Sequence, residues 1–311
     1  MISPLQPSLD TTNSANKVLS LSDAVAGIPD GAVIGLGGLS MNSAPMAVVR
    51  EIIRQGKKDL TMVALVAGLP IDWLAAAGSI SRVVTGLVSL EGFGLAQHFR
   101  RAVEGRKIVL EEYSEHLLIC RLQAQAHGLP FVPTRAGLGT DVLRLHKTTG
   151  TVREEVDPAT GEHYVACTRL PIDIALVHCH EADRAGNARV NPKLIWMDNE
   201  LVNAAPNTII STEAIVETDA FRAEPWRTTY PRFMTNTVVH APLGALPTSM
   251  FPSYSHNSTF YERYVAASGD SKSFQTFFEK YVVAPASWEE FLELNDLAKA
   301  GTTMESGHKN R

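Results

Sequence analysis

Several signatures that would name a chemistry outright are missing from this sequence. The first glycine turn, Gly35-Leu36-Gly37-Gly38-Leu39-Ser40, ends in Ser where a dinucleotide fingerprint needs a third Gly, and the next apolar run, Leu60 to Leu65, ends without an Asp or Glu to hold a ribose. Nicotinamide binding is therefore not expected. No Gly-Lys-Ser/Thr opens the helix after that turn, which removes support for ATP or GTP hydrolysis. Cysteine is scarce: Cys120, Cys167 and Cys179 are scattered without a CxxC pair, which suits reduced thiols and a cytoplasmic setting. Net positive charge is also lacking. A formal charge of -5 argues against a general nucleic-acid binder, which needs a clustered positive surface, and leaves room for local basic patches. No apolar run approaches the length of a membrane span, and Met1 to Asn16 is polar without a basic-then-apolar layout, so it reads as a flexible extension and not a signal peptide.

What is present is an alternation of short apolar runs with amphipathic segments. With 45% hydrophobic residues in 311, the chain can bury a sizeable core. Strands are expected in the apolar run that enters Gly37-Gly38 and at Leu60 to Leu65, Arg82 to Val88, Ile108 to Glu112, Ile172 to His178, Thr208 to Ile210 and Thr237 to Val239. Helices are expected at Leu19 to Ala26, from Pro45 to a stop at Gly56, and at Ile71 to Ala77, Leu95 to Glu104, Ser114 to Ala126 and Ser287 to Asn295. Such alternation implies an α/β fold: an open, mostly parallel sheet flanked by helices. Leu143 to Val165 reads as a β-hairpin excursion about the Asp157-Pro158-Ala159-Thr160-Gly161 turn.

The richest stretch runs from Asp30 to Pro45. An apolar strand enters Gly37-Gly38, which permit close ligand approach, and a proline then opens a helix whose first N–H groups have no internal partner. The structural alternative is a tight turn and nothing more. Ser89-Leu90-Glu91-Gly92 follows a strand expected to be central, where open α/β sheets place their ligand crevice. Glu91 there either orients a substrate or caps the next helix. His178-Cys179-His180 has metal-binding letters, but alternation along a strand sends Cys179 to the opposite face from the two histidines. Arg100, Arg101, Arg106 and Lys107 bracket a helix and offer either a phosphate contact or a solvated face.

The Asp30 to Pro45 segment resembles the A-type signature of family I CoA-transferases, with Leu39 where that family usually has Phe. The likeness is nearest to the A chain of the glutaconate CoA-transferase type. It continues through Ile52 to Thr61, Gly128 to Pro133, Asp173 to His178 and Ala241 to Pro247, covering roughly residues 17 to 295. It implies one A-type domain over residues 17–298 between a flexible start (1–16) and tail (299–311), with a helical C-terminal segment. It also implies coenzyme A esters as substrates with no bound cofactor or metal, and pairing with a B subunit in a heterotetramer of two A and two B chains. Gly37, Gly38, Ser40, Asn42 and Ser89 would shape the acyl pocket, with amides of the Gly37–Gly38 turn and the Ser40–Asn42 loop donating to the oxyanion. In this family a B-half glutamate attacks the thioester. Nothing in the body of this chain matches that segment, and Glu305-Ser306-Gly307 has the letters only in a polar tail.

Two departures stand out. The family's nearest members carry basic residues before the proline, where this chain has the uncharged Met41, Asn42, Ser43 and Ala44. Glu115 begins a helix, as dipoles favour. It also matches a Glu carried by relatives that hydrolyse ring-bearing CoA esters, so hydrolytic C–C cleavage or decarboxylation through Glu115 or Glu91 is the rival reading. A regulatory protein on the related sugar-phosphate isomerase fold is a third.

Overall fold

The structure, a computed structural model, describes residues 16–298; the expected flexible ends and Glu305-Ser306-Gly307 fall outside them. The strands are β1 (Val18–Leu19), β2 (Val33–Leu36), β3 (Leu60–Ala67), β4 (Ile80–Val88), β5 (Val109–Glu112), β6 (Phe131–Thr134), β7 (Val152–Val156), β8 (His163–Thr168), β9 (Ile174–Ala182), β10 (Ala188–Arg189), β11 (Asn207–Ile215) and β12 (Thr237–His240). The helices are α1 (Leu21–Ala26), α2 (Met46–Arg54), α3 (Leu69–Ala76), α4 (Gln97–Glu104), α5 (Glu115–Ala126), α6 (Val142–Leu145), α7 (Asp198–Ala204), α8 (Thr218–Ala223), α9 (Ser258–Ser268), α10 (Ser271–Phe278) and α11 (Trp288–Leu294).

The main sheet runs β1-β12-β11-β9-β2-β3-β4-β5, every neighbouring pair parallel, with β10 antiparallel on β9. The strand order reverses between β9 and β2, so the chain leaving β2 opens at a switch point, where parallel sheets form crevices at their carboxyl edge. Both faces are covered, which is why β3 and β9 read as near-continuous apolar runs. Helices α2, α3 and α4 pack on one another over one face, and α5 and α7 pack together on the other. The hairpin excursion is a separate antiparallel sheet, β6-β8-β7. It begins later than expected, because residues 142–145 are helical.

Three further expectations need correction. Pro45 stands one residue before α2, at its cap, and the helix starts at Met46. β4 is second from the edge, not central. The helices α7, α9 and α10 had no counterpart in the sequence reading beyond a helical C-terminal segment. Aromatics hold that segment: Trp73 of α3 meets Phe260 of α9 and Phe291 of α11, each at 5.9 Å. The fully buried Arg50 of α2 donates to the carbonyls of Val282, Pro285 and Ser287.

Asp72 of α3 ties two other helices to its own, accepting from Phe99 N at 2.7 Å and from Tyr264 Oη at 2.7 Å. Burial pushes its carboxyl up to about 6 from an ordinary 3.8, against the pull of those bonds. A carboxyl raised on folding holds its proton more tightly in the folded chain. Its stabilising contribution is therefore complete below the unfolded value near 3.8 and is lost as pH rises through about 6. Asp72→Asn keeps an acceptor for the Phe99 amide and removes the titration. It should gain on the wild type by about 2 kcal/mol between pH 4 and pH 7 in urea denaturation. A pH-independent difference between the two would contradict this.

Candidate active site

The site is built from three loops that leave the carboxyl ends of β2, β3 and β4. From β2 the chain enters Gly37, whose amide donates to Leu176 O at 2.8 Å. Gly38 follows with φ +80° and an amide that donates to Asp198 Oδ1 at 3.0 Å. A Cβ on Gly38 would stand 2.5 Å from Asn42 O and 2.8 Å from Ala44 N, so the loop closes on this residue as backbone against backbone. Leu39 and Asn42 then exchange amide bonds at 3.0 and 2.9 Å, and Ser40 N donates to Val66 O of β3 at 2.8 Å.

Ser40 takes φ +52°, rare for a side chain with a Cβ, and its Oγ donates to Glu91 Oε1 at 2.6 Å. Glu91 is left-handed too, at φ +53°, and its amide donates to Ser89 Oγ at 3.0 Å. Two non-glycine residues held in a sparsely populated conformation and joined by a short charge-assisted bond are the kind of strain that marks ligand sites. Ser40 is buried and Glu91 exposed, so the pair reaches from the loop out to solvent. The turn Glu91–Phe93 is held from below, where Phe93 stacks on Tyr261 of α9 at 4.9 Å with His256 edge-on at 6.0 Å. The Tyr261 hydroxyl is buried without a partner, and burial together with the Glu91 charge pushes its pKa up.

The structure thus brings Gly37, Gly38, Ser40, Asn42, Ser89 and Glu91 together, but not all in the roles expected. The amides of Gly37, Gly38, Leu39, Ser40, Asn42 and Ser43 all bond within the protein. The amides of the two glycines are thus occupied by Leu176 O and Asp198 Oδ1. Between Gly37 and Ser43, Met41 N is the amide left without an acceptor among the described residues. Asn42 is also turned inward: its Oδ1 accepts from Ser249 Oγ at 2.7 Å and its Nδ2 donates to Leu39 O at 3.3 Å. It holds the loop against Ser249, whose backbone pairs with Met41 O and Ser43 N.

Glu115 lies on the same edge, against Gly86 of β4. It is exposed at the head of α5, which Ser114 caps, and its Cγ would be 3.2 Å from a Cβ on Gly86 of β4. Among the described residues no hydrogen bond joins it to Ser40, Ser89 or Glu91. The cations bracketing α4 are placed elsewhere: Arg101 donates to Ser268 O, Arg100 pairs with Glu104, and Arg106 and Lys107 precede β5 at the opposite edge of the sheet. They are not positioned to meet phosphates at the crevice. His178 and His180 bind protein groups, His178 through Ser211 and Glu213 at 2.8 and 2.7 Å and His180 through Phe251 O at 3.0 Å. Burial opposes ionisation of Glu213, but its bonds from His178, Tyr254 and Leu243 N hold its carboxyl below the ordinary range.

The sequence reading missed two contributors. Asp198, 160 positions from Gly38, anchors the glycine turn, and burial pushes its carboxyl up against the bonds from Gly38 and Trp196. The available signal was an acid opening a short amphipathic helix. Gly68 lets the loops meet, since a Cβ there would lie 2.7 Å from Ser89 O and 3.3 Å from Ser40 O.

A doubly covered parallel sheet whose carboxyl edge carries a glycine turn and a serine–carboxylate pair defines an α/β enzyme chain with an open crevice. The family model for coenzyme A transferases matches residues 18–241. The chain belongs to that family. It is 29% identical to the A-type chain of glutaconate CoA-transferase from Acidaminococcus fermentans, over 83% of this chain and 85% of that one. The crystal structure of that enzyme superposes with a TM-score of 0.85 at 28% identity, covering 91% of this chain and 94% of the other. A cholesterol ring-cleaving hydrolase IpdA subunit from Rhodococcus jostii is 34% identical over 84% of this chain and 90% of its own. An uncharacterized protein of Archaeoglobus fulgidus is 36% identical, and this chain spans 56% of its length. Relatives of the A type imply a second, B-type chain as partner, and the family match removes the regulatory reading.

Proposed function

We propose that this chain is the A-type half of an acyl-CoA:carboxylate CoA-transferase, shaping the acyl pocket while a B subunit brings the nucleophilic glutamate. The observation that carries the reading is the Ser40–Glu91 bond of 2.6 Å beside the Gly37–Gly38 turn. In the reaction the partner's carboxylate attacks the thioester carbonyl and CoA thiolate leaves, giving a mixed anhydride. The thiolate then attacks the enzyme's carbonyl of that anhydride, releasing the first acid and leaving CoA as an enzyme thioester, and an incoming carboxylate reverses both steps. Here Ser40 and Glu91 orient the acyl group at the crevice, and the free Met41 amide is the donor assigned to the oxyanion, a contribution of about 3 kcal/mol when well aimed. Asp198, Asn42 and Ser249 keep the loop in shape. Two A with two B chains, in the cytoplasm, is the assembly proposed. Among the described residues no helix is long and apolar enough to cross a membrane.

The test is this chain, alone and co-expressed with a B-type chain from its gene neighbourhood, given acyl-CoAs and excess acetate and scored by mass spectrometry. Acetyl-CoA is expected only with both chains. Glu115→Ala should lower transfer less than about fivefold, since no hydrogen bond joins Glu115 to Ser40 or Glu91 among the described residues. Substrate loss as free acid and CoA, abolished by Glu115→Ala, would establish the hydrolytic reading in its place.

A further inference from the structure

The crevice carries an unusual charge balance. Its walls are residues 37–45, 67–70, 86–96 and 241–257, which leave the carboxyl ends of β2, β3, β4 and β12, and not one Lys or Arg occurs in them. The acid they contain is Glu91. Its Oε1 is taken by Ser40, while Oε2 has no protein partner among the described residues, and the side chain is exposed. The same wall segment, residues 86–96, carries two exposed apolar side chains, Leu87 and Leu95, each 51% exposed. Glu115, at the head of α5, adds a second carboxylate along the same edge. Arg135 follows β6, whose Thr134 Oγ1 is bonded to His116 at 3.0 Å.

An acyl group tipped by a second carboxylate would bring an anion to a fixed anion with no Lys or Arg of these walls to offset it; the histidine they hold, His256, lies edge-on to Phe93 at 6.0 Å. A hydroxyl tip would instead donate to the free Glu91 Oε2, a charge-assisted bond, while its methylenes cover Leu87 and Leu95. Resting on the transferase reading for the location of the acyl pocket, we infer that this site takes acyl-CoA thioesters whose acyl chain ends in a hydroxyl, and disfavours the CoA esters of dicarboxylic acids.

Binding can be read without any turnover. The complex with its partner chain is titrated calorimetrically with two unreactive CoA thioethers, S-(4-hydroxybutyl)-CoA and S-(3-carboxypropyl)-CoA. The hydroxyl ligand is expected to bind at least about tenfold tighter, and Glu91→Gln should bring the two within about threefold. Arg135→Ala should leave the preference unchanged. Equal binding, tighter binding of the carboxylate ligand, failure of both to bind, or a preference that depends on Arg135 each overturns the inference. Discrimination that persists in a complex unable to move CoA to acetate would overturn the transferase reading and leave this one standing. Transfer that favours dicarboxylyl thioesters would do the reverse.

Discussion

Gly38→Ala is expected to destabilise the chain by about 3 kcal/mol and to lower CoA transfer at least a hundredfold. A methyl group there meets Asn42 O at 2.5 Å and Ala44 N at 2.8 Å, both backbone atoms of a loop pinned at each end, and the residue sits at φ +80°. Strain and overpacking each contribute about 1–3 kcal/mol. Gly31→Ala separates them, since Gly31 has φ +77° but open space about its Cβ position, and should cost about 1 kcal/mol with full activity. Urea denaturation and transfer assays of the two variants make the comparison. Equal effects would mean the Gly38 loop is not closed as described.

The second large effect concerns Ser40 and Glu91. Ser40→Ala and Glu91→Gln are each expected to cut kcat/KM for a hydroxyacyl-CoA by roughly 10- to 100-fold, because the 2.6 Å bond fixes the geometry of both. The double variant should be scarcely worse than the poorer single one, a coupling of about 1.5–3 kcal/mol. Stability should change little, as Glu91 is exposed. Additive losses would show that the two residues act independently.

Much of this arrangement was legible because it follows from local rules. Period-two and helical patterns marked most strands and half the helices, and parallel strands bring every βα loop to one edge, so Ser40, Ser89 and Glu91 had to lie near one another. What escaped depends on partners remote in the chain. Nothing near Gly37–Gly38 indicates that Asp198 consumes the Gly38 amide, or that Ser249 turns Asn42 inward. The basic residues about α4 look like a phosphate site until the sheet sets Arg106 and Lys107 at the far edge. Helix α9 was missed because its aromatics face Trp73 and Phe277 of α10, a packing that weak amphipathic periodicity does not announce.

The central claim is a division of labour, acyl pocket on this chain and nucleophile on its partner. The most direct measurement traps the covalent intermediate: the complex is incubated with acyl-CoA, quenched, and its peptides searched by mass spectrometry for a glutamyl-CoA thioester or its borohydride-reduced product. The account predicts the adduct on a glutamate of the B subunit, undiminished when Glu115 is replaced by Ala. An adduct on Glu91, Glu115 or any other residue of this chain would contradict it.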